Sequence, residues 1–317
     1  ALVAAGISMR DVTASVPLVL DRNDGVPVLR PGGGTLRVGS WRSGERVRGA
    51  GAIVAGIEEG IVELGSGGTQ RVVLQPEPMG AMVQRDGAQE RLRLDPGRVH
   101  VMRESGELRI RLPRAAAAVP ARELDATGIA ATIWPDRRGD FASFEVARLS
   151  HGGSPGWFAP VTLEGTVGRT PSGFRLRGAG RVGERKTPFS FEGAIAPAVE
   201  AGSLRVELRP VRFRPRGLQP RDLSPMFSMI ERADGRVSVA ADLQLRSGRL
   251  DGTASMMAQD LAFRTKHVEV QGLTGELALD GLLPPRAAPE QSFRARSIDA
   301  GVPVTDARVR FGVVQPT

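Results

Sequence analysis

The sequence predicts an all-β fold rich in antiparallel strands, a sandwich, barrel or long meander, and three observations carry that reading. Segments with an apolar residue at every second position recur about every ten residues. The chain holds 40 Gly and 23 Pro among 317 residues, spaced at short intervals that helix interiors do not tolerate. Aromatic residues make up only 4%, with no Tyr, so apolar positions fall to Val, Leu, Ile and Ala.

The elements follow in order. Val12, Ala14, Val16, Leu18 and Leu20 share one parity and predict a strand that ends at the turn DRNDG. Leu36 and Val38 follow RPGGG, and Leu92 with Leu94 mark a further strand. GRVHVMRESGELRIRLP predicts a hairpin around Glu104-Ser105-Gly106, with Val99 and Val101 on one arm and Leu108, Ile110 and Leu112 on the other. Pro113 to Gly128 reads as a connector interrupted by Pro120. It suggests a boundary between an N-terminal β segment, 1–120, and a C-terminal one, 121–317, unless the two form one continuous unit.

From Val161 the alternation sharpens through VTLEGTVG, FRLRGAGRV, FSFEGAI and SLRVELRPVRFRP, with a change of parity at Pro210 that predicts a bulge. One short helix is expected near 225–233. Ser224 can cap it, Pro225 suits its first position, and Met226, Phe227 and Ile230 form its apolar stripe, with Gly235 just past the end. Strands resume with Val237, Val239, Leu243 and Leu245, turn at RSGRLDG, and continue from Leu250. In HVEVQGLTGELALDGLLPPR, Val268 and Val270 alternate with polar residues. The phase then slips at Gly272, and Leu273, Leu277 and Leu279 share the new parity: a strand, a bulge and a second strand.

Net charge is +8, with 41 arginines against two lysines, dispersed along the chain beside 35 acids. A basic chain can bind nucleic acid or anionic lipid heads. However, the most basic segment places Arg205, Arg209, Arg212, Arg214, Arg216 and Arg221 opposite or beyond apolar strand positions, as a solvated face does. Cysteine is absent, which excludes disulfides and a thiol nucleophile. No apolar run approaches the ~20 residues that span a bilayer. The start lacks Met and the order of a signal peptide, and the end stops in strand-like sequence, so a longer parent protein is expected.

The chemical motifs are weak. GGSPG has the spacing of a hydrolase elbow at Ser154, but Pro155 and a strand follow where a helix should stand. DRNDG lacks the glycine position and closing Glu of a calcium loop, and RPGGGT lacks the Lys and helix of a phosphate cradle. His100, His151 and His267 have no ligand spacing. No catalytic residue, metal or cofactor is expected.

GLTGELALDGLLPPRAAPEQSFRARSIDAGVPVTDARVRF, residues 272–311, resembles the C-terminal region of the YdbH-like family within the AsmA-like superfamily of Gram-negative envelope proteins, a region also labelled dicarboxylate transport. The residues that carry the likeness are Gly272, Leu273, Gly275, Asp280, Leu283, Pro284, Asp299, Gly301, Pro303 and Asp306. LQPRDLSPMF and GRVSVAADLQLRSGRLDGTASMMAQDLAF extend it back to Leu218. The resemblance implies a long curled sheet with an apolar groove. It implies phospholipid as cargo between inner and outer membranes, a periplasmic position anchored by an N-terminal helix, and a small outer-membrane lipoprotein as partner through strand pairing.

Under that reading, candidate groove-lining residues are Leu204, Val206, Leu208, Val237, Val239, Leu243, Leu245, Val268, Val270, Leu277 and Leu279. Each is equally compatible with ordinary core packing. A closed, non-catalytic β-sandwich scaffold or interaction module of the envelope is therefore the alternative.

Overall fold

The computed structural model describes residues 2–4, 7–23, 26–31, 33–43, 47–49, 51–63, 70–85, 88–196, 201–246, 249–282, 285–287 and 291–311. Among these residues the fold is all-β, 24 strands of antiparallel sheet with a single short α-helix. The chain divides into two compact units. Unit 1 comprises Ala1–Leu149, Leu163–Leu176 and Ile195–Glu200. Unit 2 comprises Ser150–Thr162, Arg177–Ala194 and Ala201–Thr317.

Unit 1 begins with β1 (Leu2–Ala4), β2 (Ile7–Ser15), β3 (Leu18–Asn23), β4 (Val26–Pro31), β5 (Gly34–Ser43), β6 (Val47–Gly49) and β7 (Ile53–Glu63). It continues through β8 (Gln70–Pro76), β9 (Met79–Arg85), β10 (Ala88–Asp95), β11 (Val99–Glu104), β12 (Glu107–Val119), β13 (Leu124–Ile133) and β14 (Asp140–His151), whose last two residues fall in unit 2. Sequential hairpins are joined by non-local pairings. One half of β5 leads through β7 and β8 to β11, and the other half leads through β6 and β9 to β10. Both branches rejoin on β12, which also pairs with β13. Among the described residues, Val28, Val38, Ala55, Val73, Ala81 and Ala115 are buried apolar positions of this unit.

Two expectations change here. The single strand expected through Val12–Leu20 is two strands, because Val16-Pro17 interrupts it: Pro has no donor and restricts the residue before it. The expected connector Pro113–Gly128 is mostly strand. Ala116–Val119 pairs residue by residue with Leu124–Thr127, Ala115 opposes Ile129 across a bulge at Gly128, and Pro120–Arg122 forms a 3-10 turn between the two arms. The hairpin at Glu104–Glu107 is as expected. Ser105 and Gly106 both take positive φ, 49° and 83°, which a two-residue turn needs to match strand twist.

β15 (Val161–Thr170), β16 (Gly173–Val182) and β17 (Thr187–Ile195) divide their residues between the units. Unit 2 is completed by β18 (Ala201–Phe213), β19 (Arg232–Arg246), β20 (Arg249–Arg264), β21 (Glu269–Leu282), β22 (Pro285–Ala287), β23 (Gln291–Asp299) and β24 (Pro303–Phe311). From β18 onward each strand pairs with the next, with β22 a short side strand beside the direct β21–β23 pairing. The bulge expected at Pro210 appears as a register shift between Leu208 and Val211. The slip at Gly272 is a bulge at φ 64° within one unbroken strand.

Between β18 and β19 lies the helical segment: α1 (Pro220–Leu223), then a 3-10 turn over Pro225–Met229. Ser224 caps the turn as expected, accepting from Met226 N. The helix ends earlier than the sequence suggests. Glu231 N already donates to Arg264 O at 2.8 Å, and Gly235 lies inside β19 at φ 126° rather than past a helix end.

Candidate functional site

The register of unit 2 assembles apolar rows across consecutive strands. Leu204 faces Leu243 and Gly252; Val206 faces Ala241, then Ala254 and Leu279. Leu208 continues through Val239 and Met256 to Leu277. Val211 continues through Val237, Ala258 and Gly275 to Phe293. Antiparallel pairing places directly opposed residues on one face, so these rows form a single apolar surface. Leu245 extends it, opposite Gly202 and Leu250.

The surface is covered at one end. Val211, Phe213, Ala233 and Val237 form a buried cluster, against which Leu218, Leu223 and Ile230 of the helical segment pack together with Leu208, Val239 and Met256. Gln219 fastens that lid from within. It is 5% exposed; its Oε1 accepts from Ala233 N at 2.7 Å, and its Nε2 donates to Ala233 O and Leu218 O at 3.1 and 3.0 Å. The rows led by Leu204 and Val206 lie outside the cluster, and Leu204, Val206, Ala241, Leu243, Ala254, Leu277 and Leu279 are half-buried.

Of the groove candidates, the register therefore brings together Leu204, Val206, Leu208, Val237, Val239, Leu243, Leu245, Leu277 and Leu279. Val270, 5% exposed, lies beyond the bulge opposite Phe263 and Ile298. Val268 is not on a strand: it closes the turn Thr265–Val268, its carbonyl accepting from Thr265 N at 2.8 Å. Sequence reading passed over Ala241 and Ala254, which share parity with their larger neighbours, and Gln219, whose role depends on non-local contact.

Among the described family-motif residues, several serve backbone shape. A Cβ at Gly275 would collide with the Phe293 ring, 2.5 Å away. Asp299 accepts from Gly301 N at 2.9 Å, Gly301 sits at φ 100°, and Pro303 opens β24 opposite Asp299. Leu273 opposes Leu261, whereas Asp280 and Asp306 are exposed, Asp306 at φ 50°. Leu283 and Pro284 lie outside the described residues.

The reverse face is charged. Arg205 donates to Glu207 at 2.7 Å and lies 3.7 Å from Asp242; the Glu207 hydrogen bond, then the Asp242 charge, push its guanidinium above its ordinary value. Aligned bulges hollow this face into a cavity of about 780 Å³ lined by Arg212, Arg236, Gln259, Asp260, Arg264 and Arg296. Arg296 pairs with Asp260 at 2.9 Å. Among the described residues of unit 2, neither face brings a nucleophile against a base. Ser154 sits in a turn with strand, not helix, behind it. His151 accepts from Gly153 N through Nδ1 and stacks on Trp157, and His267 is exposed. Among the described residues no group of His, Cys, Asp or Glu could hold a metal ion, and no helix is long and apolar enough to cross a membrane.

These features define an all-β protein whose distinguishing surface among the described residues is an extended apolar sheet face. The family model described as "YdbH-like: Intermembrane phospholipid transport protein YdbH" matches residues 33–317, and the chain belongs to that family. The family is one of lipid transport proteins. No curated protein and no solved structure matches the chain.

Proposed function

We infer that this chain is a segment of an envelope protein that conducts phospholipids between the inner and outer membranes, with acyl chains lying along the apolar face of β18–β21. The observation that carries the reading is the graded cover of that face: the row through Val211 and Val237 is buried under the helical segment, while the rows through Leu204 and Val206 are only half-buried. The energetic demand is simple. Exposing an acyl chain to water costs roughly 0.8 kcal/mol per methylene, on the order of 12 kcal/mol for a 16-carbon tail. A continuous aliphatic surface removes most of that cost without a specific contact and without chemistry.

The family supports phospholipid as cargo. In the fuller reading the parent protein is held in the inner membrane by an N-terminal helix, lies in the periplasm, and meets a small outer-membrane lipoprotein by strand pairing. β24 suits such pairing, because among the described residues its ladder partner is β23.

Photocrosslinking tests the reading. A benzophenone side chain at Leu243 or Val206 should capture phospholipid in cells, and one at Arg205 on the reverse face should not. Equal capture from both faces, or none from either with lipid-free purified protein, would instead favour a closed scaffold.

A further inference from the structure

In the antiparallel succession of unit 2, alternate connections fall at the same end of the strands. That end carries the loop Gly152–Pro160, the turn Gly183–Lys186, the helical segment, the turn Thr265–Val268 and the turn Ala300–Val302. Hydrogen bonds knit the first four. Ser224 Oγ donates to Trp157 O at 2.6 Å, Ala159 N to Leu223 O at 2.9 Å, Gly183 N to Pro160 O at 2.9 Å, and Glu231 N to Arg264 O at 2.8 Å.

Two properties of these connections are at odds with an ordinary solvated loop. First, five large apolar side chains are exposed here: Trp157 is 54% exposed, Met226 53%, Phe227 46%, Met229 71% and Val302 74%. The 3-10 turn thus buries little of its own apolar content, while Leu218, Leu223 and Ile230 beside it pack inward. Second, the surround is basic. Both lysines of the chain, Lys186 and Lys266, lie here, with Arg185, Arg214, Arg216 and Arg221, all exposed. The acids are fewer: Glu184 is exposed in the turn Gly183–Lys186, and Asp222 and Glu231 lie at 4.0 Å from Arg185 and Arg264.

We propose that this end of unit 2 docks on an anionic bilayer surface. Met226, Phe227, Met229 and Trp157 enter the boundary between headgroups and acyl chains, and the ring of lysines and arginines meets lipid phosphates. The charge ring selects a bilayer over an apolar protein socket. Trp and Met with flanking cations match the headgroup boundary, where aromatic rings settle and cations find phosphate. The apolar residues belong to turns and loops, so backbone strand addition is not the mode of contact. The inference does not need the apolar sheet face to carry lipid.

The test is flotation of the full chain with vesicles of phosphatidylcholine alone or phosphatidylcholine mixed with phosphatidylglycerol. The native chain should float with the mixed vesicles, less so at high salt, and weakly with phosphatidylcholine alone. F227E/M229E should lose about tenfold or more of that partitioning, and K186E/K266E should lose its salt-sensitive part. These four positions are surface ones, and circular dichroism checks that the variants fold. Independently, Trp157 fluorescence should shift to the blue with mixed vesicles and be quenched by brominated lipid, with quenching lost in Trp157→Phe. Ala241→Phe, directed at the sheet face, should float as the native chain does, which separates this inference from lipid conduction. Absence of flotation, equal binding to both vesicle types, or unquenched Trp157 overturns it. So does vesicle-independent capture of an envelope protein that F227E/M229E abolishes.

Discussion

Replacing Gln219 with Leu should destabilise unit 2 by about 2–4 kcal/mol, because Gln219 stands in for a missing stretch of strand. The pairing of β18 with β19 ends at Phe213 opposite Gly235, so Ala233 has no backbone neighbour on that side. Ala233 is 1% exposed, and both its amide and its carbonyl are bonded by the Gln219 carboxamide. Leu keeps the volume but leaves two buried backbone groups unpaired, at about 1–3 kcal/mol each, partly offset by the added apolar burial. Hydrogen exchange at the Ala233 amide reads the effect locally: a loss of about 2 kcal/mol corresponds to roughly thirtyfold faster exchange. Gln219→Glu adds a sign test. A carboxylate cannot donate to the Ala233, Leu218 and Arg214 carbonyls, so its folded-state pKa is raised, and stability should be regained as pH falls through that value. If Gln219→Leu stays within about 0.5 kcal/mol of the native chain with unchanged exchange, the lid is not held as argued.

Three further outcomes are expected. Ala241→Phe combined with Ala254→Phe, directly opposed in the row led by Val206, should reduce co-purifying phospholipid several-fold by mass spectrometry while leaving the sheet folded. Gly183→Ala should destabilise unit 2 by more than about 1 kcal/mol in urea, because Gly183 lies at φ 69° and a Cβ would collide with the Asp222 carbonyl. The Arg137 hydrogen bond, opposed by desolvation and aided by the Arg137 and Arg109 charges, holds the Glu107 carboxyl below its ordinary range. Its contribution to stability is present above the unfolded-state pKa and fades as pH falls through the folded one. Carboxyl NMR should show the Glu107 midpoint rise in Arg137→Ala.

Much of the fold was legible because its determinants are local. Ser105-Gly106, Pro210 and Gly272 each dictate a turn or bulge through their own backbone preferences, and Ser224-Pro225 does the same for the helical cap. What escaped the sequence depends on neighbours distant along the chain. Alternation from Val12 to Leu20 passes through Pro17 without a break in parity, yet the ladder cannot. Ala115–Val119 has no strand signal of its own and is extended because β13 pairs with it. Gly235 reads as a helix stop, but its positive φ is used where β19 bulges between Asp234 and Arg236. The apolar face was readable as parity, whereas its lid was not, since Gln219 reaches Ala233 only once the chain has doubled back.

The nearest-neighbour pairing from β18 to β21 carries a consequence for how such proteins vary in size. A hairpin inserted into a simple meander widens it by two strand spacings, about 9.6 Å, and leaves every existing ladder in register. Lengthening or shortening the span then needs no rewiring of what is already there. Unit 1, whose two branches reconverge on β12, has no such freedom: there an added strand would have to satisfy two partners at once.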